Sequence, residues 1–217
     1  DGSPSAWREA GARDKADHIV EMCGHLAPTR VLEIGAGEGA VLARLDELGF
    51  APELHGVEIS ESGIDAIRGR GIPSLRSVEV FDGYSTSFET RSFDLVYLTH
   101  VLEHVEHPRR LLYEAARLAP HVFVEIPLEA TPLRSALTRR DYRENAIGHI
   151  NFYSAADIRM LVQSSGFRVC AEKAFVPSSE VFTFHGHRGA KLNRMVKRVG
   201  ISVHPELAGQ LITFPWG

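Results

Sequence analysis

The chain has 217 residues, 44% hydrophobic and 24% charged, which is enough for a full hydrophobic core in one domain. Its formal net charge of −4 gives no global attraction to nucleic acid or to an anionic membrane. Its two cysteines, Cys23 and Cys170, form neither a CxxC pair nor a disulfide framework; with no bilayer-spanning apolar run and no secretory leader before the first strand, core-filling thiols in a cytoplasmic protein are expected.

In chain order, Ala16, Ile19, Val20, Cys23 and Leu26 line one side of an opening helix, and Pro28 follows its end. Val31, Leu32 and Ile34 read as a buried strand running into Gly35-Ala36-Gly37-Glu38-Gly39, where glycine permits a tight turn with φ > 0. Val41, Leu42, Leu45 and Leu48 then recur at helical spacing. Strand, glycine turn and helix N-terminus together make a nucleotide-type site. Gly35 to Ala40 also fits the G-x-G-x-x-A dinucleotide fingerprint. About 20 residues on, where that fingerprint places an acid on the ribose, Glu58 ends a second strand. The carboxylate argues for a ribose and leaves the cofactor open.

Ser60 can cap the next helix, with Ile64 and Ile67 inward and Gly69 or Gly71 closing it. Leu75 to Phe81 reads as the third strand, followed by Asp82-Gly83, a pair that turn chemistry explains as well as ligand contact does. Phe93 to Leu98 is the fourth strand. Pro108 opens a helix carrying Leu111, Leu112, Ala115 and Leu118, and His121 to Ile126 is the fifth strand. Ser154 and Asp157 form a capping-box pattern before Ile158, Leu161 and Val162, and Gly166 closes that helix. Phe167 to Phe175 and Leu207 to Phe214 supply a final antiparallel pair. The alternation predicts an α/β fold: a three-layer, Rossmann-like, seven-stranded, mostly parallel sheet with helices on both faces, in a single domain over 1–217. Residues 127–150, with Arg134, Arg139, Arg140, Arg143 and His149, and residues 177–204 fall outside the alternation. As insertions beyond the carboxyl ends of the strands they would form a lid or substrate wall.

Taken with Val80-Phe81-Asp82-Gly83 and the run from Ser92 to His104, the glycine loop and Glu58 occur in an order and at intervals that resemble the class I S-adenosylmethionine-dependent methyltransferases. The likeness is to the small-molecule, methyltransferase 11/23 type. It covers roughly Val31 to Phe175, and Gly148 to Phe167 is similar to the later part of that family. The resemblance implies that Glu33, Gly35, Ala36 and Gly37 hold the methionine part of the cofactor. It further implies that Glu58 takes the ribose hydroxyls, that Ile59, Asp82 and Gly83 meet the adenine, and that Thr99 and His100 face the sulfonium. It also implies a helix straight after the fourth strand, carrying His104 in a packing or capping role.

These roles suit the residue types. One carboxylate can accept both hydroxyls of a ribose diol, and a sulfonium cation favours a carboxylate such as Glu33 nearby. The expected reaction is in-line transfer of the methyl group to a small-molecule acceptor at O, N or C, leaving S-adenosylhomocysteine. Positioning supplies much of the rate, and a base is required only for a protonated acceptor. His100 is the first candidate base and His149 the second. Glu103, His104 and His107 offer three candidate metal ligands in one run, but local spacing alone is weak grounds, so no metal is expected. Lys191, Arg194 and Arg198 share a helical face that reads as solvated, since aromatic stacking residues are absent from the run. The rival functions are an RNA or protein methyltransferase and a noncatalytic cofactor-binding module. No membrane partner is expected, and oligomeric state is not readable.

Overall fold

The computed structural model describes residues 4–130, 148–176, 178 and 180–181. The chain divides into two compact units, one formed by Arg8–Val101 and His107–Glu125, the other by Asp1–Trp7, Leu102–Glu106 and Ile126–Gly217.

The first unit carries the sheet. Its elements are α1 (Pro4–Cys23, from Arg8 on), β1 (Arg30–Ile34), α2 (Ala40–Glu47), β2 (Glu53–Glu58), α3 (Glu61–Gly69), β3 (Leu75–Val80), β4 (Leu95–Thr99), α4 (Pro108–Leu118) and β5 (His121–Glu125). The five strands are all parallel in the order β3-β2-β1-β4-β5. The chain grows outward from β1 in one direction, then returns to add β4 and β5 on the other side. That reversal puts the topological switch point between the carboxyl ends of β1 and β4, where open α/β sheets hold ligands.

The central strands β2, β1 and β4 are buried on both faces, whereas the edge strands β3 and β5 are mostly half-buried. Val31, Leu54, Val78, Leu95 and Tyr97 join one core cluster with Ala12, Ala16, Ile19 and Cys23 of α1, Leu42 and Leu45 of α2, and Ile64 and Ile67 of α3. Leu32, Ile34, Val96 and Leu98 are equally buried but lie outside that cluster, as do Leu111, Leu112, Ala115 and Leu118 of α4. The period-2 alternation of a strand sends these to the opposite face, so helices cover both sides. Val20 and Leu48, expected inward, are exposed at the edges of their helical stripes.

In the second unit, α5 (Ala155–Ser164) begins with a complete capping box between Ser154 and Asp157. An isolated parallel bridge joins Leu128 to Tyr153.

The expectation of seven strands is corrected to five among the described residues. Phe167 to Phe175 keeps a strand-like alternation at first, with Phe167 and Val169 half-buried and Arg168 and Cys170 exposed, yet it pairs with no described strand. A strand needs a ladder partner, and the expected one, Leu207 to Phe214, lies outside the described residues. Cys170 is accordingly exposed and fills no core, whereas Cys23 is buried in the α1 seam and burial pushes its thiol up to about 11. No helix among the described residues is long and apolar enough to cross a membrane.

Candidate functional site

The glycine loop is fixed by backbone bonds to the neighbouring strand. The amides of Gly35 and Ala36 both donate to the Val57 carbonyl, at 2.9 and 3.1 Å. Gly35 sits at φ 77°, and a Cβ there would lie 2.7 Å from Val101 Cγ2, so both conformation and space demand glycine. Gly37 differs. At φ 53° it too is left-handed, but a Cβ there would meet nothing within 4 Å. Its α-carbon therefore faces open space, as a backbone that admits a ligand must.

Glu58 ends β2 buried at 9% exposure and ties this loop to α3. Oε2 accepts from the Gly37 amide at 2.9 Å, and Oε1 accepts from the Ser60 amide and hydroxyl at 3.1 and 3.2 Å. Ser60 in turn caps α3 by accepting from the Gly63 amide. Protein donors thus take three of the roughly four acceptor positions on the carboxylate. One acceptor position, on Oε2, is left for a further donor.

Gly63 has no turn to make, yet a Cβ on it would lie 2.7 Å from both Gly37 O and Glu58 Cγ and 2.8 Å from Ser60 Oγ. Gly63→Ala is expected to push the loop and Glu58 apart, costing about 1–3 kcal/mol of stability by overpacking, read from urea unfolding. Gly69→Ala, where a Cβ meets nothing within 4 Å, is the control and should be neutral or slightly stabilising.

Glu33 and Tyr97 are register partners across β1 and β4, and the phenol donates to Glu33 Oε2 at 3.0 Å. Burial pushes the Glu33 carboxyl up to about 8; the Tyr97 bond and the Lys15 charge pull the other way, and the Glu58 charge adds to the rise. The Tyr97 phenol is raised well above its ordinary range, by burial first and by Glu33 second.

At the next strand ends, the Phe81 amide donates to the Glu58 carbonyl, which brings Asp82-Gly83 beside Ile59. Asp82 makes its turn with Oδ1, accepting from the Tyr84 and Ser85 amides at 2.8 and 2.6 Å, and these bonds lower its pKa. Ile59 is 65% exposed, an apolar side chain presented at a strand tip.

Thr99 is buried opposite Glu125 at the end of β4. His100 follows at φ 58°, a left-handed conformation that is uncommon for a non-glycine residue and that collects at functional sites. Its amide donates to the Glu125 carbonyl at 2.8 Å, and its Nε2 lies 3.7 Å from Glu125 Oε1. The other carboxylate oxygen pairs with His18 Nδ1 at 3.0 Å. Burial alone would raise the Glu125 carboxyl, but the two imidazoles hold it down at about 2.

In the second unit, His149 is buried with Nδ1 2.7 Å from Glu129 Oε2. His104 lies in a turn at Leu102–His104 and not in a helix, because α4 starts only at Pro108, whose ring suits a first helical position. His107 belongs to the first unit, with its ring 5.9 Å from that of Tyr84. Most of 127–150 and 177–204, including the basic face of Lys191, Arg194 and Arg198, lies outside the described residues.

A family model described as a methyltransferase domain matches residues 7–172, three quarters of the chain. The chain belongs to the class I S-adenosylmethionine-dependent methyltransferases. A curated relative, the mitochondrial ubiquinone biosynthesis O-methyltransferase of Candida albicans, is 29% identical over 115 residues, which is 49% of this chain and 35% of the relative. The match thus spans about a third of that protein. Among solved structures, a chain from the complex between the Haloferax volcanii Trm112 methyltransferase activator and its methyltransferase superposes with a TM-score of 0.63 at 20% identity, covering 79% of this chain and 77% of that one. An S-adenosylmethionine-dependent methyltransferase from Mesorhizobium loti gives a TM-score of 0.56 at 22% identity, covering 85% and 86%. At such identities the superpositions show a common fold.

In this methyltransferase the structure adds residues that the sequence reading passed over. Glu125, like Glu58, is an acid closing a strand, and could have been found by that signal. His18, Gly63, Tyr97 and Glu129 owe their places to contacts across many residues and had no local signature.

Proposed function

We propose that the chain transfers the methyl group of S-adenosylmethionine to a small-molecule acceptor by in-line displacement. The observation that carries this reading is the Gly37–Glu58 junction, where an unhindered backbone and a buried carboxylate meet at the carboxyl ends of β1 and β2, beside the switch point of the sheet. When bound, the cofactor supplies a methyl group already activated on a sulfonium.

The chain's own residues position and exclude. The Gly35-Ala36-Gly37 backbone and Glu33 hold the methionine end, and Glu58 Oε2 accepts from the ribose. Ile59 covers one adenine face, with Asp82 Oδ2 and Gly83 at its edge. Thr99 and His100 wall the methyl group. His100 takes a proton from a hydroxyl or ammonium acceptor, with Glu125 and His18 orienting its ring. The curated relative is named as an O-methyltransferase of ubiquinone biosynthesis, which supports a small acceptor. Two free cysteines fit a reducing compartment, taken as the cytoplasm, although the curated relative is named as mitochondrial.

Incubating the full chain with radiolabelled S-adenosylmethionine and a panel of phenols, amines, carbon acids, total RNA and protein lysate tests this. Label in a small molecule supports the reading, and label in RNA or protein contradicts it. With the best acceptor, His100→Ala should cut kcat by about 10²–10⁴, the range for general base catalysis, and leave product affinity unchanged. An unaltered pH–rate profile would reduce His100 to a wall.

A further inference from the structure

The turn carrying Glu103 and His104 is latched to the segment after Gly148 by backbone bonds. Ile150 and Asn151 both donate their amides to the Glu103 carbonyl, at 2.8 and 3.0 Å. The Asn151 side-chain amide donates to the carbonyls of Leu102 and Val105, at 3.1 and 2.6 Å. All of these residues lie in the second unit. The latch fixes the positions of three side chains, Glu103, His104 and His149, and one ligand-capable atom from each lies within 4.8 Å of the others.

We propose that Glu103, His104 and His149 bind a divalent first-row transition-metal ion, zinc-like in preference, with Glu129 as the carboxylate that orients His149.

The Nδ1 atoms of both histidines are already engaged. His104 Nδ1 lies 3.2 Å from the Gly148 carbonyl, which can only accept, so Nδ1 donates there. His149 Nδ1 lies 2.7 Å from Glu129 Oε2, the carboxylate–histidine arrangement that fixes ring orientation and raises the basicity of the other nitrogen in metal sites. The two rings meet edge to face, with centroids 4.7 Å apart, so neither covers the other's nitrogens by stacking.

The donor set selects the ion. Two neutral imidazoles and one carboxylate suit zinc and its first-row neighbours, whereas magnesium and calcium prefer oxygen throughout. Bonds of about 2.0–2.2 Å would draw donors to within about 3.5 Å of one another, a closure near 1 Å that side-chain rotation can supply. Glu103 and Glu129 are each 1% exposed, and a bound cation offsets the cost of burying two carboxylates together. Three protein donors leave at least one position for water or an oxygen ligand. The proposal stands apart from the methyl-transfer reading, because ion binding is measured without cofactor or acceptor.

The test uses the purified full chain, stripped with chelator, and titrates Zn²⁺ against a chromophoric competitor, with Co²⁺ absorption as a report on geometry. One ion per chain, with the intense visible bands of four- or five-coordinate Co²⁺, is expected. His104→Gln, at an exposed position, and Glu129→Gln should each weaken Zn²⁺ affinity by at least tenfold, while His107→Gln leaves it unchanged. Circular dichroism confirms that each variant is folded. Substoichiometric binding, or equal affinity in wild type and His104→Gln, would mean an adventitious ion and overturn the proposal. Tighter binding of Mg²⁺ than of Zn²⁺ would overturn the choice of ion.

Discussion

Glu58→Ala lowers affinity for S-adenosylmethionine and destabilises the fold in the same stroke. The ligand half of the effect comes from Oε2, whose charge-assisted bond to a ribose hydroxyl is worth about 1.5–3 kcal/mol, roughly a ten- to hundredfold loss of affinity. The structural half follows from the bonds that Glu58 accepts from Gly37 and Ser60, which hold the glycine loop against the start of α3. Losing them leaves the amides of Gly37 and Ser60 without their carboxylate partner. Glu58→Gln removes the charge but keeps one acceptor: its amide oxygen can still accept from Gly37, while its NH2 cannot accept from the Ser60 amide. Calorimetric titration with S-adenosylhomocysteine should therefore rank wild type above Gln above Ala, and thermal melts should fall in the same order. Equal affinities in all three would remove Glu58 from the site.

Glu33→Gln abolishes a pH dependence. The buried carboxyl titrates at about 8 in the folded chain against an ordinary value near 4.5. Between those values the folded chain keeps a proton that the unfolded chain has released, so stability falls as pH rises through the window and levels off above it. Each unit of displacement corresponds to about 1.4 kcal/mol, which makes the effect large at alkaline pH. Glutamine mimics the protonated acid, can still accept from Tyr97, and should hold stability nearly level from pH 5 to 9. The binding consequence is equally specific. If a cationic sulfonium or ammonium settles beside Glu33, it draws the proton off. Near pH 7, titrations in buffers of differing ionisation enthalpy should then show proton release on binding by wild type and none by Glu33→Gln. A wild-type stability that is flat between pH 5 and 9 would contradict the buried acid.

What the sequence made legible was whatever its neighbours alone enforce. The strand before Gly35, the glycine loop and the amphipathic series Val41, Leu42 and Leu45 are local patterns, and the structure forms them as read. The capping residues Ser60 and Ser154 are local in the same way, since the cap and its amide are three residues apart. Long-range pairing was less accessible. The alternation in Phe167 to Phe175 has the strand period, but period says nothing about whether a partner is in register. His104 was placed in a helix because its run resembles one in related chains, whereas Pro108 sets the start of α4 later. Gly63 has no local signature, and its reason for being glycine is visible only when Gly37 and Glu58 are brought against it. The meeting of Glu103, His104 and His149 joins residues more than 40 positions apart, so the local spacing pointed to His107 instead.

The nucleoside that the Gly37–Glu58 junction takes determines the chemistry of the chain. Calorimetry of the full chain with S-adenosylhomocysteine and with NAD decides it. One-to-one binding of S-adenosylhomocysteine at micromolar affinity, weakened by Glu58→Ala and with no heat from NAD, is the predicted result. Saturable binding of NAD with none of S-adenosylhomocysteine would contradict it.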